Sequence, residues 1–426
     1  MALLAAALLV SAVVVFTVPR LREAALYRLS DWKARVYYLI NPPQKAVFLP
    51  AEPQAQVAAA VQQTLQALTP VLLTPTVSPA IVETPQPTAT PTPSPTSLPG
   101  RVELTGIRYQ SQRYLWNYCA PANLAMALSY WGWQGDRTTT GKWLKPFAQD
   151  KNVMPYEMQA YVEEEAGLKA VVRVGGDLDT IRRFISAGYP VLVEKGEVLH
   201  GEYGPGSTGW MGHYLLINGY DDTQSGLIVQ DSLTGPDQLY PYDSLQTDWR
   251  AFNYLYIVIY PPEEEEEITH ILGDQADAYA NQQYAALLAA NEVMGLTGRD
   301  QFFAWMNRGS SLVGLQDYGG AAAIFDQAFI LYVDIPEADR PYRMLWYNTA
   351  PYKAYYYLGN YWNVIDLATT TLDAMAEPTL EESYYWRARA ELALGDTVGA
   401  VNDLKKAVKY HTGFQPAVDL LAELGY

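Results

Sequence analysis

The one cysteine of the 426-residue chain, Cys119, stands where a helix is expected to begin. Ala120 to Trp131 carries an apolar stripe at Leu124, Ala127, Leu128 and Trp131, the spacing of one buried helix face, and Gly132 stops it. Pro121 suits a first turn, where its missing N–H is one the helix leaves unpaired anyway. Unpaired N–H groups and the positive dipole end at such a position stabilise a thiolate and lower the thiol pKa. A lone cysteine is more often a small buried hydrophobe. Such a residue has no reason to stand at a helix start, and that placement favours a nucleophile.

A cysteine nucleophile needs a base, a group that orients the base, and donors for the oxyanion. The chain has four histidines. His270 and His411 lie outside the segment around Cys119, and His200 falls in a Gly-rich loop with no fixed frame. His213 heads an apolar strand, where a base is held rigidly. Asp231 ends the next strand and can accept from the imidazole, fixing its tautomer. Asp221 and Asp222 are nearer in sequence but sit in a turn, where Asp is favoured for turn geometry alone. If the two strands form one hairpin, His213 and Asp231 must share a face. Paired residue numbers must then add to an even value, or a bulge must intervene.

Three motifs in order, Gln112…Cys119-Ala120-Pro121-Ala122, Gly212-His213-Tyr214 and Gln230-Asp231-Ser232, resemble the bacteriocin-processing peptidase-like family of papain-type cysteine peptidases. The resemblance covers roughly residues 105–260. It implies a papain-like fold, a triad of Cys119, His213 and Asp231, and Gln112 as oxyanion donor, with Gln110 as its runner-up. Ala120 stands where the family usually has Gly, and Ser232 where Pro is frequent. Processing members are usually fused to transporters. This sequence shows no transporter and no ATP-binding motif, so leader-peptide cleavage during export does not follow.

The elements that must position these residues alternate along 101–262. Pro155 to Ala166 and Leu178 to Ala187 read as helices closed by Gly167 and Gly188. Leu168 to Val174, a strand starting at Val191, His213 to Tyr220, Leu227 to Asp231 and Leu255 to Tyr260 read as strands. Helices first and antiparallel strands last signal an α+β domain. Pro261-Pro262 and the acidic run 263–267 mark a solvated junction.

Residues 268–426 read as an all-α repeat. The turns at Asp317-Tyr318, Gly359-Asn360 and Gly395-Asp396 are about 43 and 36 residues apart and resemble degenerate tetratricopeptide repeats. Three such units build a short solenoid for a protein partner or substrate. The 33 Tyr and 11 Trp suit packed helical repeats.

At the other end, residues 1–18 carry no charge and read as a transmembrane anchor or signal segment. Residues 19–69 read as a helical stem. Residues 70–100 read as a disordered linker, since Pro70 to Pro99 holds nine Pro and seven Thr. Arg20, Arg22 and Arg28 after the span argue for an inward orientation. The Thr/Pro stalk argues for export, and a membrane-anchored or secreted, extracytoplasmic protein is the reading taken. A net charge of −17 argues against nucleic acid. One cysteine excludes an internal disulfide, and with four histidines no metal or cofactor is expected. The function expected is hydrolysis of peptide or amide bonds. The alternatives are an inactive papain-like binding or scaffold module at the cell envelope, and an acyl transferase using the same triad.

Overall fold

The computed structural model describes residues 17–50, 98–115, 117–200 and 208–426. The apolar run before residue 17, the Ala/Gln-rich end of the expected stem and nearly all of the Pro/Thr-rich stretch lie outside the described residues. Among the described residues, no helix is long and apolar enough to cross a membrane. The described part of the stem is one helix, α1 (Pro19–Ile40), with Pro at its first turn, followed by a short 3-10 turn at Pro43–Lys45.

The domain that follows is an antiparallel sheet between helices. Its elements run β1 (Arg101–Glu103), α2 (Cys119–Tyr130), α3 (Arg137–Leu144), α4 (Pro155–Glu165), β2 (Lys169–Arg173), α5 (Leu178–Ser186), β3 (Val191–His200), β4 (Thr208–Asp221), β5 (Gly226–Asp231), β6 (Gly235–Pro241), α6 (Tyr242–Trp249) and β7 (Tyr256–Tyr260). The strand order is β2-β7-β3-β4-β5-β6, with β1 paired to the far end of β4. Period-two alternation gives the sheet two apolar faces. Leu192, Tyr214, Leu216, Ile257 and Ile259 pack with Leu124, Met126 and Leu128 of α2. Val191, Val193, Leu215, Ile217 and Val229 pack with Phe184 and Ile185 of α5 and Trp249 of α6. Because α2 is buried all round, every residue from Ala120 to Ser129, and not along one face as its apolar stripe suggests, its first residue is carried to a fixed place beside β4.

One further expectation changes. His200 is the last residue of β3 and pairs with Thr208, so it belongs to a strand and not to a loop. The long β3–β4 ladder carries pairing well past Val193, where local composition alone turns Gly-rich. The acidic run, read as a solvated junction, is largely exposed, and its last three glutamates also open α7 (Glu265–Leu272). Glutamates in a first turn meet the positive end of the helix dipole, which offsets their mutual repulsion. Ile268 and Leu272 of α7 bury in the same core as the sheet.

The remainder is helical: α8 (Ala278–Gly295), α9 (Gly298–Gly314), α10 (Tyr318–Asp334), α11 (Met344–Tyr347), α12 (Ala350–Leu358), α13 (Tyr361–Asp373), α14 (Glu381–Ala393), α15 (Thr397–Tyr410) and α16 (Gln415–Glu423). Gly359, at φ +85°, terminates α12 in the left-handed conformation that favours glycine. Asp317 and Asp396 cap the N-termini of α10 and α15 through the N–H groups of Gly320 and Gly399. This helical part does not stand apart from the sheet domain. Trp210 of β4, Ala251 after α6 and Phe48 after α1 share one buried cluster with Phe303, Phe329, Met344 and Tyr355.

Candidate active site

Cys119 is the first residue of α2 and is half-buried. His213 lies in β4 and Asp231 ends β5; both are buried. His213 Nε2 and Asp231 Oδ1 are 2.8 Å apart. That contact leaves Nδ1 as the ring nitrogen for Cys119, which lines the same cavity as His213. The same aspartate oxygen accepts from the N–H of Leu233 at 2.7 Å, and the Asp231 carbonyl accepts from Tyr109 Oη at 2.9 Å. The Leu233 N–H thus holds the carboxylate while it faces the ring, and Tyr109 fixes the backbone that carries it.

The electrostatics follow from this chain of contacts. Desolvation works to raise the Cys119 thiol, but the hydrogen bond and charge of His213, the Tyr214 N–H and the nearby Lys145 ammonium outweigh it. The thiol is held below its ordinary value. Desolvation works to lower His213, and Asp231 and Cys119 reverse that, pushing the imidazole up to about 10. Burial works to raise Asp231, and the imidazolium together with the Leu233 N–H holds it below the ordinary carboxylate range. All three shifts favour a thiolate–imidazolium pair at neutral pH.

Gln112 lines the same narrow cavity of about 40 Å³ as Cys119 and His213. Gln110 is not part of that lining. The Gln112 amide is oriented by a relay of donors. Asn123 Nδ2 lies 3.0 Å from Ser232 Oγ, and Ser232 Oγ donates to Gln112 Oε1 at 2.7 Å. The backbone N–H of Gln112 also donates to the Ser232 carbonyl at 2.8 Å. With its oxygen committed to Ser232, the amide turns its N–H groups away from that serine. Asn123, fully buried, further donates to the carbonyls of Cys119 at 2.9 Å and Tyr214 at 2.8 Å. One side chain therefore ties the start of α2 to β4 and to the segment after β5.

Sequence reasoning gave Asn123 and Ser232 no such positioning work. A polar residue inside the Ala/Leu run of α2, one turn after Cys119, was the available signal. Two wall residues, Glu194 and Tyr347, and Lys145 near Cys119 carried no local signal. Buried Glu194 faces the cavity, and desolvation raises its carboxyl well above the ordinary value. Lys145, after α3, donates to the Asn117 carbonyl at 3.0 Å, and burial lowers its ammonium to about 8. Tyr347 comes from α11, in the helical part, and accepts from the Gly212 N–H. Gly212 is required there: a Cβ would come 2.7 Å from Phe252 and 3.1 Å from Tyr347. Arg343 donates to the Trp210 carbonyl at 2.7 Å and locks the same seam.

The cavity at Cys119 continues into a larger cleft of about 380 Å³. Gln112, Asn117, Met211 and Leu233 form its floor, Arg343 and Tyr347 one wall, and Tyr27, Asp31 and Tyr38 of α1 its roof. The roof is fastened to the helical part, with Tyr37 Oη donating to the Asp373 carbonyl at 2.9 Å.

Comparison with known proteins finds a likeness for part of the chain. Residues 104–257 match the model of the Peptidase_C39 like family. Among solved structures, the chain matches a crystal structure described as a C39-like peptidase from Bacillus anthracis. The match has 18% identity and a TM-score of 0.31, over 37% of this chain and 96% of that one. No curated protein matches the chain. The matched segment supports a papain-like domain of the C39 type with an antiparallel sheet, and at the family level a cysteine-peptidase-like hydrolase.

Proposed function

We propose that the domain hydrolyses peptide or related amide bonds, with Cys119 as nucleophile, His213 as base and acid, Asp231 as its orienter and Gln112 as oxyanion donor. The observation that carries this is that Cys119 and His213 line one cavity while His213 Nε2 stands 2.8 Å from Asp231 Oδ1. The Cys119 thiolate attacks the carbonyl carbon and forms the C–S bond. The carbonyl oxygen takes the negative charge and is met by the Cys119 N–H and the Gln112 amide, donors that act where charge develops. The imidazolium then protonates the leaving nitrogen, the C–N bond breaks, and a thioester remains. His213, now neutral, takes a proton from water, and the resulting attack releases the acid and restores the thiolate.

The cleft geometry favours an extended chain as substrate. A narrow cavity at the sulfur, a roof over the approach and a wall from the helical part leave room for one strand rather than a folded surface. The helical part, read as tetratricopeptide-like repeats, would bind the partner or the substrate that presents this strand. The apolar residues 1–18 and the Pro/Thr-rich stretch support a place at the cell envelope, anchored or exported.

The test is to treat the full chain with a thiol-directed peptidyl electrophile at pH ~6, well below the ordinary thiol range, and map the adduct by mass spectrometry. A peptide library is incubated in parallel. Labelling at Cys119, together with cleavage that Cys119→Ala abolishes, supports the hydrolase. Absence of cleavage with labelling only above pH ~8.5 would instead identify an inert binding module.

A further inference from the structure

A second cluster of titratable groups lies away from Cys119, at the seam between the sheet domain and the last helices. Asp150 and Glu157 come from the α3–α4 region; Glu381 and Glu382 open α14; His411 follows α15. His411 Nδ1 stands 3.1 Å from Glu381 Oε1 and 3.7 Å from Asp150 Oδ2, while its Nε2 stands 3.7 Å from Glu157 Oε1. The donor atoms of Asp150, Glu381 and His411 all lie within 4.8 Å of one another.

We propose that Asp150, Glu381 and His411 form a binding site for one divalent transition-metal ion of the zinc class, which clasps the helical part to the sheet domain.

Four observations carry it. First, buried polar atoms point into the cluster without hydrogen-bond partners: Asp150 Oδ2 and Glu381 Oε2, on residues only 0% and 1% exposed, and Glu382 Oε1 beside them. Buried carboxylate oxygens left bare are costly, and a cation satisfies several at once. Second, the separations suit a small ion. Ligand atoms at about 2.0–2.2 Å from zinc lie roughly 3.3–3.6 Å from each other in a tetrahedron. The two distances from Nδ1 bracket that range. Third, the imidazole is arranged as a ligand. Nδ1 faces the two proposed carboxylate ligands and Nε2 faces a third carboxylate, Glu157, the usual outer partner of a metal-bound histidine. A nitrogen ligand also selects zinc-class ions over calcium or magnesium.

Fourth, acidic and basic side chains are crowded together at this one seam. Asp150, Glu157, Glu381 and Glu382 face Lys145, Lys151 and His411. Entry is available, because His411, Glu157 and Glu382 line an open cleft between the two parts.

The experiment uses the full chain without a histidine tag, stripped with EDTA and titrated with ZnCl₂ and with CoCl₂. The expected result is one equivalent of zinc by elemental analysis and calorimetry, a rise in Tm on adding zinc, and Co²⁺ absorption bands of a four- or five-coordinate site. His411→Gln and Glu381→Gln each weaken zinc binding by more than about tenfold. The proposal is overturned if the stripped wild-type chain takes up no stoichiometric zinc or cobalt, or if both variants bind as tightly as wild type. It is also overturned if Tm ignores zinc but rises as pH falls from 8 to 6, showing that protons rather than a metal satisfy the cluster.

Discussion

His213 and Asp231 meet at 2.8 Å because Asn218 is an extra residue in β4. Near the turn, Gly219 faces Ile228 and Tyr220 faces Leu227, so the paired numbers add to an odd value. Carried straight on, that register sets His213 and Asp231 on opposite faces of the hairpin. The bulge between Ile217 and Gly219 moves the pairing to Ile217 with Val229 and Leu216 with Gln230, an even register. Asn218 is held in place: its Nδ2 donates to the Leu104 carbonyl at 2.9 Å, and its Oδ1 accepts from Gln230 at 3.1 Å.

Deleting Asn218 is therefore expected to continue the odd register and part His213 from Asp231. The expected readout is a chain with native-like far-UV circular dichroism whose Cys119 alkylation profile matches that of His213→Ala. A deletion variant that keeps the wild-type profile would show that the bulge does not set the pair.

The pH profile of Cys119 alkylation tests the ion pair. The thiol lies below its ordinary value of 9.0 and the imidazole at about 10, so reactivity should rise on the acid side of 9 and change again near 10. In His213→Ala the profile should shift upward, to the free-thiol region near pH ~8.5 or above. Stability should follow the same linkage. The raised value of His213 means its contribution is full below the unfolded value of about 6.5 and is lost as pH climbs through about 10. Asp231 is depressed, so its contribution is present above the unfolded carboxylate value and lost on strong acidification. Tm measured across pH 3 to 10.5 should fall at both ends.

Gln112→Ala is expected to lower kcat by roughly 10²–10³-fold, the scale of a lost oxyanion donor. The alkylation rate of Cys119 should not change, because the thiolate and its imidazolium remain. Ser232→Ala, which frees Gln112 Oε1, should move kcat in the same direction by less and leave KM near wild type. An alkylation profile displaced in either variant would point to a damaged triad instead.

Asn123→Ala removes a donor from the part-buried carbonyl of Cys119 and from the buried carbonyl of Tyr214 and Ser232 Oγ. Stranding buried acceptors should destabilise the domain by about 2–3 kcal/mol, read as a lowered denaturation midpoint with an unchanged m-value. An unchanged midpoint would mean that water replaces the amide there.

Residue types and local periodicity made much of this protein legible without coordinates. The apolar stripe after Cys119 marks α2, because one helix face must be buried and Pro121 fits only its first turn. Alternation through Leu215 and Ile217, and the turn at Asp221 to Gly226, mark a hairpin, since strand and turn preferences are local. Glycines 359 and 395 mark helix ends for the same reason. What chain-local chemistry does not contain is the relation between distant segments. The bulge at Asn218 depends on a side-chain bond to Leu104, so the register was open until β1 was placed. The relay from Asn123 through Ser232 to Gln112 joins three segments that only packing brings together. Tyr347 and Arg343 reach the cleft from a helix that periodicity assigns to another part of the chain. His411 finds Asp150 only once the last helices dock on the sheet domain. Sequence determined which groups were available and which elements carried them; tertiary packing alone decided which of them meet, because proximity across a fold is set by shared burial and not by spacing along the chain.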